Sequence, residues 1–103
     1  MIDIRIRING TEKTYQEADT GWIIQQINRR RADGQLVCVE VIVHAPAIDM
    51  ILSTPTCTGT GGSRLPNSTE KRIFDLWDRY HLSRPNFTSD DVINFLKQLA
   101  GHL

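Results

Sequence analysis

Ile2, Ile4, Ile6 and Ile8 alternate with Asp3, Arg5 and Arg7, and Asn9-Gly10 follows at once. Side chains alternate between the two faces of a strand, so the isoleucines share one face and the charges the other. Asn-Gly accepts positive φ at both central positions of a two-residue hairpin turn, whose twist matches that of the flanking strands. Folding about this turn sets Ile8 opposite Thr11, Ile6 opposite Lys13 and Ile4 opposite Tyr15. On the other face Arg7 meets Glu12 as a cross-strand ion pair. The chain therefore starts as an antiparallel hairpin with one apolar face that needs cover.

That cover follows directly. Asp19 or Thr20 caps a helix carrying Trp22, Ile23, Ile24 and Ile27, a short apolar stripe. Arg29, Arg30 and Arg31 fall in its last turn, where cations suit the helix dipole, and Gly34 supplies the stop. Residues 36–44 and 47–53 read as two further strands joined around Ala45-Pro46. The simplest register puts Val43 opposite Ile48, Val41 opposite Met50 and Val39 opposite Leu52, all on one core face. Cys38, Glu40, Ile42, His44, Asp49 and Ile51 fall on the other.

From Asn67 onward the character is helical. Asn67 with Glu70 has the logic of a capping box, and Ile73, Phe74, Leu76, Trp77 and Tyr80 recur at helical spacing. A turn containing Pro85 and Asn86 leads to Thr88 or Ser89 as the next cap. Val92, Phe95, Leu96 and Leu99 then line one helix face, with Ile93 beside it. The reading is an α+β domain: a ββαββ half over residues 1–54, a glycine-rich connector over 55–66 and a helical hairpin over 67–103. The ββαββ order resembles that of the β-grasp topology, which implies parallel pairing of the first and third strands. Ile4, Ile6, Ile27, Val39, Val41, Met50 and Leu52 form the expected core, with Trp77, Phe95 and Leu96 as a second cluster.

Composition narrows the classes. A chain of 103 residues with 40% apolar and 23% charged residues suits one globular domain. Lys plus Arg and Asp plus Glu balance at 12 each, so no net basic field attracts phosphate polymers. No apolar run reaches the roughly 20 residues of a membrane span, and the start lacks the unbroken apolar stretch of a signal peptide. Cys38 and Cys57, 19 positions apart, fit no metal or redox spacing. The expectation is a reduced, cytoplasmic protein without a membrane, of a compactness that suits a bacterial source.

Several chemistries fail on geometry. Gly59-Thr60-Gly61-Gly62-Ser63-Arg64 lacks the lysine of a phosphate loop, and Arg64 stands where the dinucleotide pattern needs its third glycine. Pro66 then separates the glycines from the helix start. What survives is a small-anion contact at Gly61, Gly62 and Arg64. A metal among Cys38, Glu40 and His44 is excluded by strand rise, which spreads the outer two by about 20 Å. His44 approaches Asp49 diagonally across the hairpin, and a Cys57–His44 dyad would require the connector to fold back. No catalytic residue, metal or cofactor is assigned.

Two binding readings remain. Arg29, Arg30 and Arg31, if joined by Arg5 and Arg7, would make a patch of five guanidinium groups for nucleic acid or an acidic partner. Asp3, Glu12 and Asp33 oppose it, and Phe74, Trp77, Tyr80 and Phe95 are needed by the core rather than for base stacking. The other reading uses Ile42 and Ile51 on the outer face of the second hairpin. Either the C-terminal helices cover that face, which is the preferred expectation, or it is a contact surface with an edge open to strand addition. The functional expectation is a small non-enzymatic protein-binding or adaptor protein, self-associating or binding another protein. Anion chemistry at Arg64 and nucleic-acid binding through the three arginines are the alternatives.

Overall fold

A computed structural model describes residues 2–57 and 66–102. In chain order these form β1 (Asp3–Ile8), β2 (Thr11–Thr14), α1 (Thr20–Ala32), β3 (Val39–Ala45), β4 (Ile48–Ser53), α2 (Ser68–Arg79) and α3 (Ser89–His102). The strands make one sheet in the order β2-β1-β3-β4, antiparallel at every pairing. The fold is α+β, with a C-terminal helical pair. No described helix is long and apolar enough to cross a membrane.

The first hairpin has the expected register, Ile8 with Thr11, Arg7 with Glu12 and Ile6 with Lys13. Asn9 (φ 47) and Gly10 (φ 89) supply the positive φ that its turn needs. Asn9 also stitches this turn to the second half: its Nδ2 donates to Leu36 O at 3.0 Å, and its Oδ1 accepts from Cys38 N at 2.6 Å.

β1 and β3 are neighbours, as the element order implied, but they run antiparallel rather than parallel. The cause is the crossover. α1 has 13 residues, about 20 Å of rise, and carries the chain back along the sheet to the end where β2 began. β3 therefore repeats the direction of β2, which is opposite to β1.

The second hairpin differs by a slip of two residues. Val43 pairs with Met50 and Val41 with Leu52, so the two-residue loop is Pro46-Ala47 rather than Ala45-Pro46. Proline presets φ for the first central position of a turn and is disfavoured at the second. It thus belongs where the structure has it, and Ala47 takes the positive φ of 64°. A slip of two leaves faces unchanged, so Val39, Val41, Val43, Ile48, Met50 and Leu52 are all buried.

All three helices pack on that one apolar face. The buried residues form a single cluster that contains Ile4, Ile6, Val39 and Leu52 together with Trp77, Phe95 and Leu96, so the expected second cluster does not exist. Trp77 meets Phe95 edge-to-face, with centroids 5.1 Å apart. Leu82 and Phe87, in the connection between α2 and α3, are also fully buried. Phe74, assigned to the core from its spacing, is instead 40% exposed. Asp19 caps α1 by accepting from Trp22 N at 2.7 Å. Thr88 and Asp91 cap α3 reciprocally.

Candidate functional site

The face of the sheet opposite the helices is open. The sequence favoured its being covered by the terminal helices, and this expectation is overturned: Ile51 is 51% exposed, and His44, Asp49 and Ser53 beside it are exposed as well. The reason lies in the helices themselves. α2 and α3 turn their apolar sides into the same core as α1 and have no second apolar side left for the outer face.

Strand register lays this face out in rows. Glu12, Arg7, Glu40 and Ser53 form one, and Thr14, Arg5, Ile42 and Ile51 the next. Asp3, His44 and Asp49 form the third. The β1 end is a closed charge network. Arg5 pairs with Asp3 and Glu12, each at 3.1 Å, and Arg7 reaches Glu12 at 2.8 Å and Glu40 at 3.6 Å. Hydrogen bonds from Arg7 and then Arg5 hold the Glu12 carboxyl below its ordinary range, and Glu12 in turn raises both guanidinium groups. With three carboxylates around two arginines, this corner offers no unbalanced positive charge to a polyanion.

The β4 end is different. Ile42 and Ile51 are directly paired and lie between the charge network and the His44–Asp49 pair, whose Nδ1···Oδ1 separation is 3.7 Å. These two face each other across the ladder rather than diagonally. β4 is also an edge strand. Thr54 N donates to Val39 O on β3, whereas Asp49 N donates away from the sheet to Glu70 Oε2 at 2.9 Å. Backbone groups alternate in direction along a strand, so those of Ile51 and Ser53 also point outward. They have no hydrogen-bond partner among the described residues. Phe74 lies one turn beyond Glu70 on α2 and is half-exposed.

One end of the edge is locked. Glu70 is 1% exposed. Its Oε1 accepts from Asn67 N at 3.0 Å while Asn67 Oδ1 accepts from Glu70 N at 2.8 Å, which is the expected capping box. Its other oxygen takes the Asp49 amide, and Asn67 Nδ2 donates to Ala47 O at 2.7 Å. Sequence spacing showed the cap but not its second function, clamping α2 to the hairpin tip. Glu70→Ala is expected to lower stability by about 2–3 kcal/mol, since two amides lose a charged acceptor. Glu70→Gln should retain much of this. Urea unfolding of the three proteins checks both, and an alanine variant within about 0.5 kcal/mol of wild type would refute the clamp.

The remaining candidates are dispersed. Arg31 is held by the Phe87 carbonyl, with its guanidinium 4.9 Å from the Phe87 ring centroid. Arg30 donates to Gln26 at 3.1 Å, and Arg29 is exposed. These arginines belong to the helical layer and Arg5 and Arg7 to the opposite sheet face, so the five do not converge. Arg64, Gly61 and Gly62 lie outside the described residues. Cys57 is bonded to Cys38, with Cα atoms 4.7 Å apart, which corrects the expected reduced pair and removes the thiol that a dyad with His44 would need. Among the described residues no three metal-ligating side chains cluster. A depression of about 280 Å³ at the hairpin tip is lined by His44, Asp49, Asn67 and Glu70 among others, with no serine, threonine, cysteine or lysine in the lining. No protein-family model, curated protein or solved structure matches the chain.

Proposed function

We propose that this chain is a non-enzymatic protein-binding module that accepts a partner strand at the edge of β4. The observation that carries the reading is the contrast between the two sheet edges. β2 is only four residues long and presents Glu12 and Lys13, features that discourage further pairing. β4 has six residues, Ile48–Ser53, no lysine, arginine or proline among them, an exposed Ile51 and two residues whose outward groups have no partner among the described residues. An unguarded edge beside an apolar patch is the arrangement by which sheets recruit an extended segment. Main-chain bonds then provide affinity and the side-chain patch provides selectivity.

The experiment is selection of binders from a random library of displayed peptides, followed by backbone amide spectra of the complex. Selected peptides should shift and protect the Ile51 and Ser53 amides. Ser53→Pro, which deletes an outward donor at an edge position where proline is tolerated, should abolish binding. Arg29→Gln/Arg30→Gln/Arg31→Gln should not. Binders that shift other surfaces, or that ignore Ser53→Pro, refute the reading, as does a selection on monomeric protein that yields no binder at this edge.

Nucleic-acid binding through Arg29, Arg30 and Arg31 has weaker support, because Arg31 is committed to Phe87. The expected cytoplasmic setting is one where thiols are kept reduced, and the Cys38–Cys57 bond pulls against it. Thiol titration of protein taken from its native cells decides between them.

A further inference from the structure

We infer that the strand received at β4 is the β4 of a second copy of this chain, paired antiparallel about a two-fold axis at Leu52. The inference rests on the open-edge reading above and adds its occupant and register. Residues 49, 51 and 53 carry the outward backbone groups, so a two-fold antiparallel pairing can be centred at 51, 52 or 53. Centring at Ile51 sets Asp49 opposite Ser53 of the second copy and calls on the Asp49 amide, which already donates to Glu70. Centring at Ser53 sets Ile51 opposite Pro55 of the second copy, and proline has no amide hydrogen to give. Centring at Leu52 sets Ile51 opposite Ser53 of the other copy, twice over by symmetry. The open N–H and C=O groups of both residues are then matched, four hydrogen bonds in all.

Charge and shape agree with this register. Across the outer face the row would run Arg5, Ile42 and Ile51 of one copy, then Ser53, Glu40 and Arg7 of the other. β4 ends at Ser53 and residues 55 and 56 lie in a turn, so the new ladder stops short of Asp49 and no carboxylate faces a carboxylate across it. The two Ile51 side chains become diagonal neighbours, within reach of each other on one sheet face. A formal net charge of zero leaves no long-range repulsion between copies. The product is a continuous eight-stranded sheet whose only remaining edges are the two short, charged β2 strands.

Sedimentation equilibrium on the full chain, from micromolar to millimolar concentration, tests the occupant. The expected result is a dimer. Ser53→Pro should weaken dimerisation about tenfold to a hundredfold, because symmetry removes two donors at once. Ile51→Lys should do the same by placing two cations diagonally across the ladder. Circular dichroism checks that both variants keep the wild-type fold, and either one suffices if the other does not fold. In a mixed-isotope sample, a contact between the Leu52 Hα atoms of the two copies identifies the register. A protein monomeric at about 1 mM, or a dimer unaffected by both folded variants, overturns the inference. In the monomeric case the peptide selection described above still stands as a separate test, so loss of the self-pairing and loss of the open-edge reading give different results.

Discussion

Replacing Trp77 by alanine is expected to lower the unfolding free energy by about 3–5 kcal/mol. Trp77 is 4% exposed, joins the single core cluster and meets Phe95 nearly at right angles, with an interplanar angle of 88°. Truncation therefore removes the apolar transfer term, leaves a void between α2 and α3, and deletes an aromatic pair worth about 1 kcal/mol beyond its area. A domain of this size has about 5–15 kcal/mol to lose, so the variant should unfold at much lower urea or not fold at all. Trp22→Ala, at a half-buried site under the Lys13 ammonium, is the comparison and should lose clearly less. Circular dichroism is the proper probe, because each variant removes one of the two indoles. A Trp77→Ala loss below about 1 kcal/mol would mean that α2 does not pack as described.

Removing the Cys38–Cys57 bond should have the next largest effect, about 3 kcal/mol for a loop of this length. The bond joins residues 19 apart, so its main action is to restrict the unfolded chain. The folded chain has other holds on the same region. Thr54 N donates to Val39 O at 3.0 Å, Val39 N donates to Thr54 Oγ1 at 3.1 Å, and Thr56 Oγ1 donates to the Val37 carbonyl. Cys38→Ser/Cys57→Ser is accordingly expected to fold to the same structure with a lower urea midpoint and a somewhat steeper denaturant slope, because the unlinked unfolded chain exposes more surface. An unchanged midpoint would refute a bond that constrains the unfolded chain.

Much of the architecture is visible in local chemistry. The alternating isoleucines and Asn9-Gly10 give the first hairpin and its register, and Asn67 with Glu70 gives the start of α2. The inner faces of both hairpins follow from period two alone. What was hidden depends on relations between distant segments. Leu82 and Phe87 are buried but sit in a connection without periodicity, and Phe74 keeps helical spacing yet lies beyond the buried arc of α2. The direction of β3 is decided by where α1 delivers the chain. The disulfide was masked by the two-residue slip in the second hairpin. In the observed register Cys38 stands opposite residue 55, only two positions from Cys57, whereas the simpler register placed it opposite residue 53. At the candidate site, Ile42 and Ile51 could be named from alternation. The openness of their face could not, because it depends on which way α2 and α3 turn.

The pairing of β1 with β3 has a consequence for how the molecule can be divided. Within each hairpin the paired residues are close in sequence, but across the middle of the sheet Asp3 meets His44 and Ile8 meets Val39. Among the described residues that seam is the only ladder joining the two hairpins, and the inward side chains of both share one buried cluster with those of the helices. A lone two-stranded hairpin is at best marginally stable in water, and here neither has a covered face without the other. The halves that look separable along the chain therefore form one cooperative unit. A cut within α1 would yield two fragments that stay largely unstructured apart and regain order only when mixed.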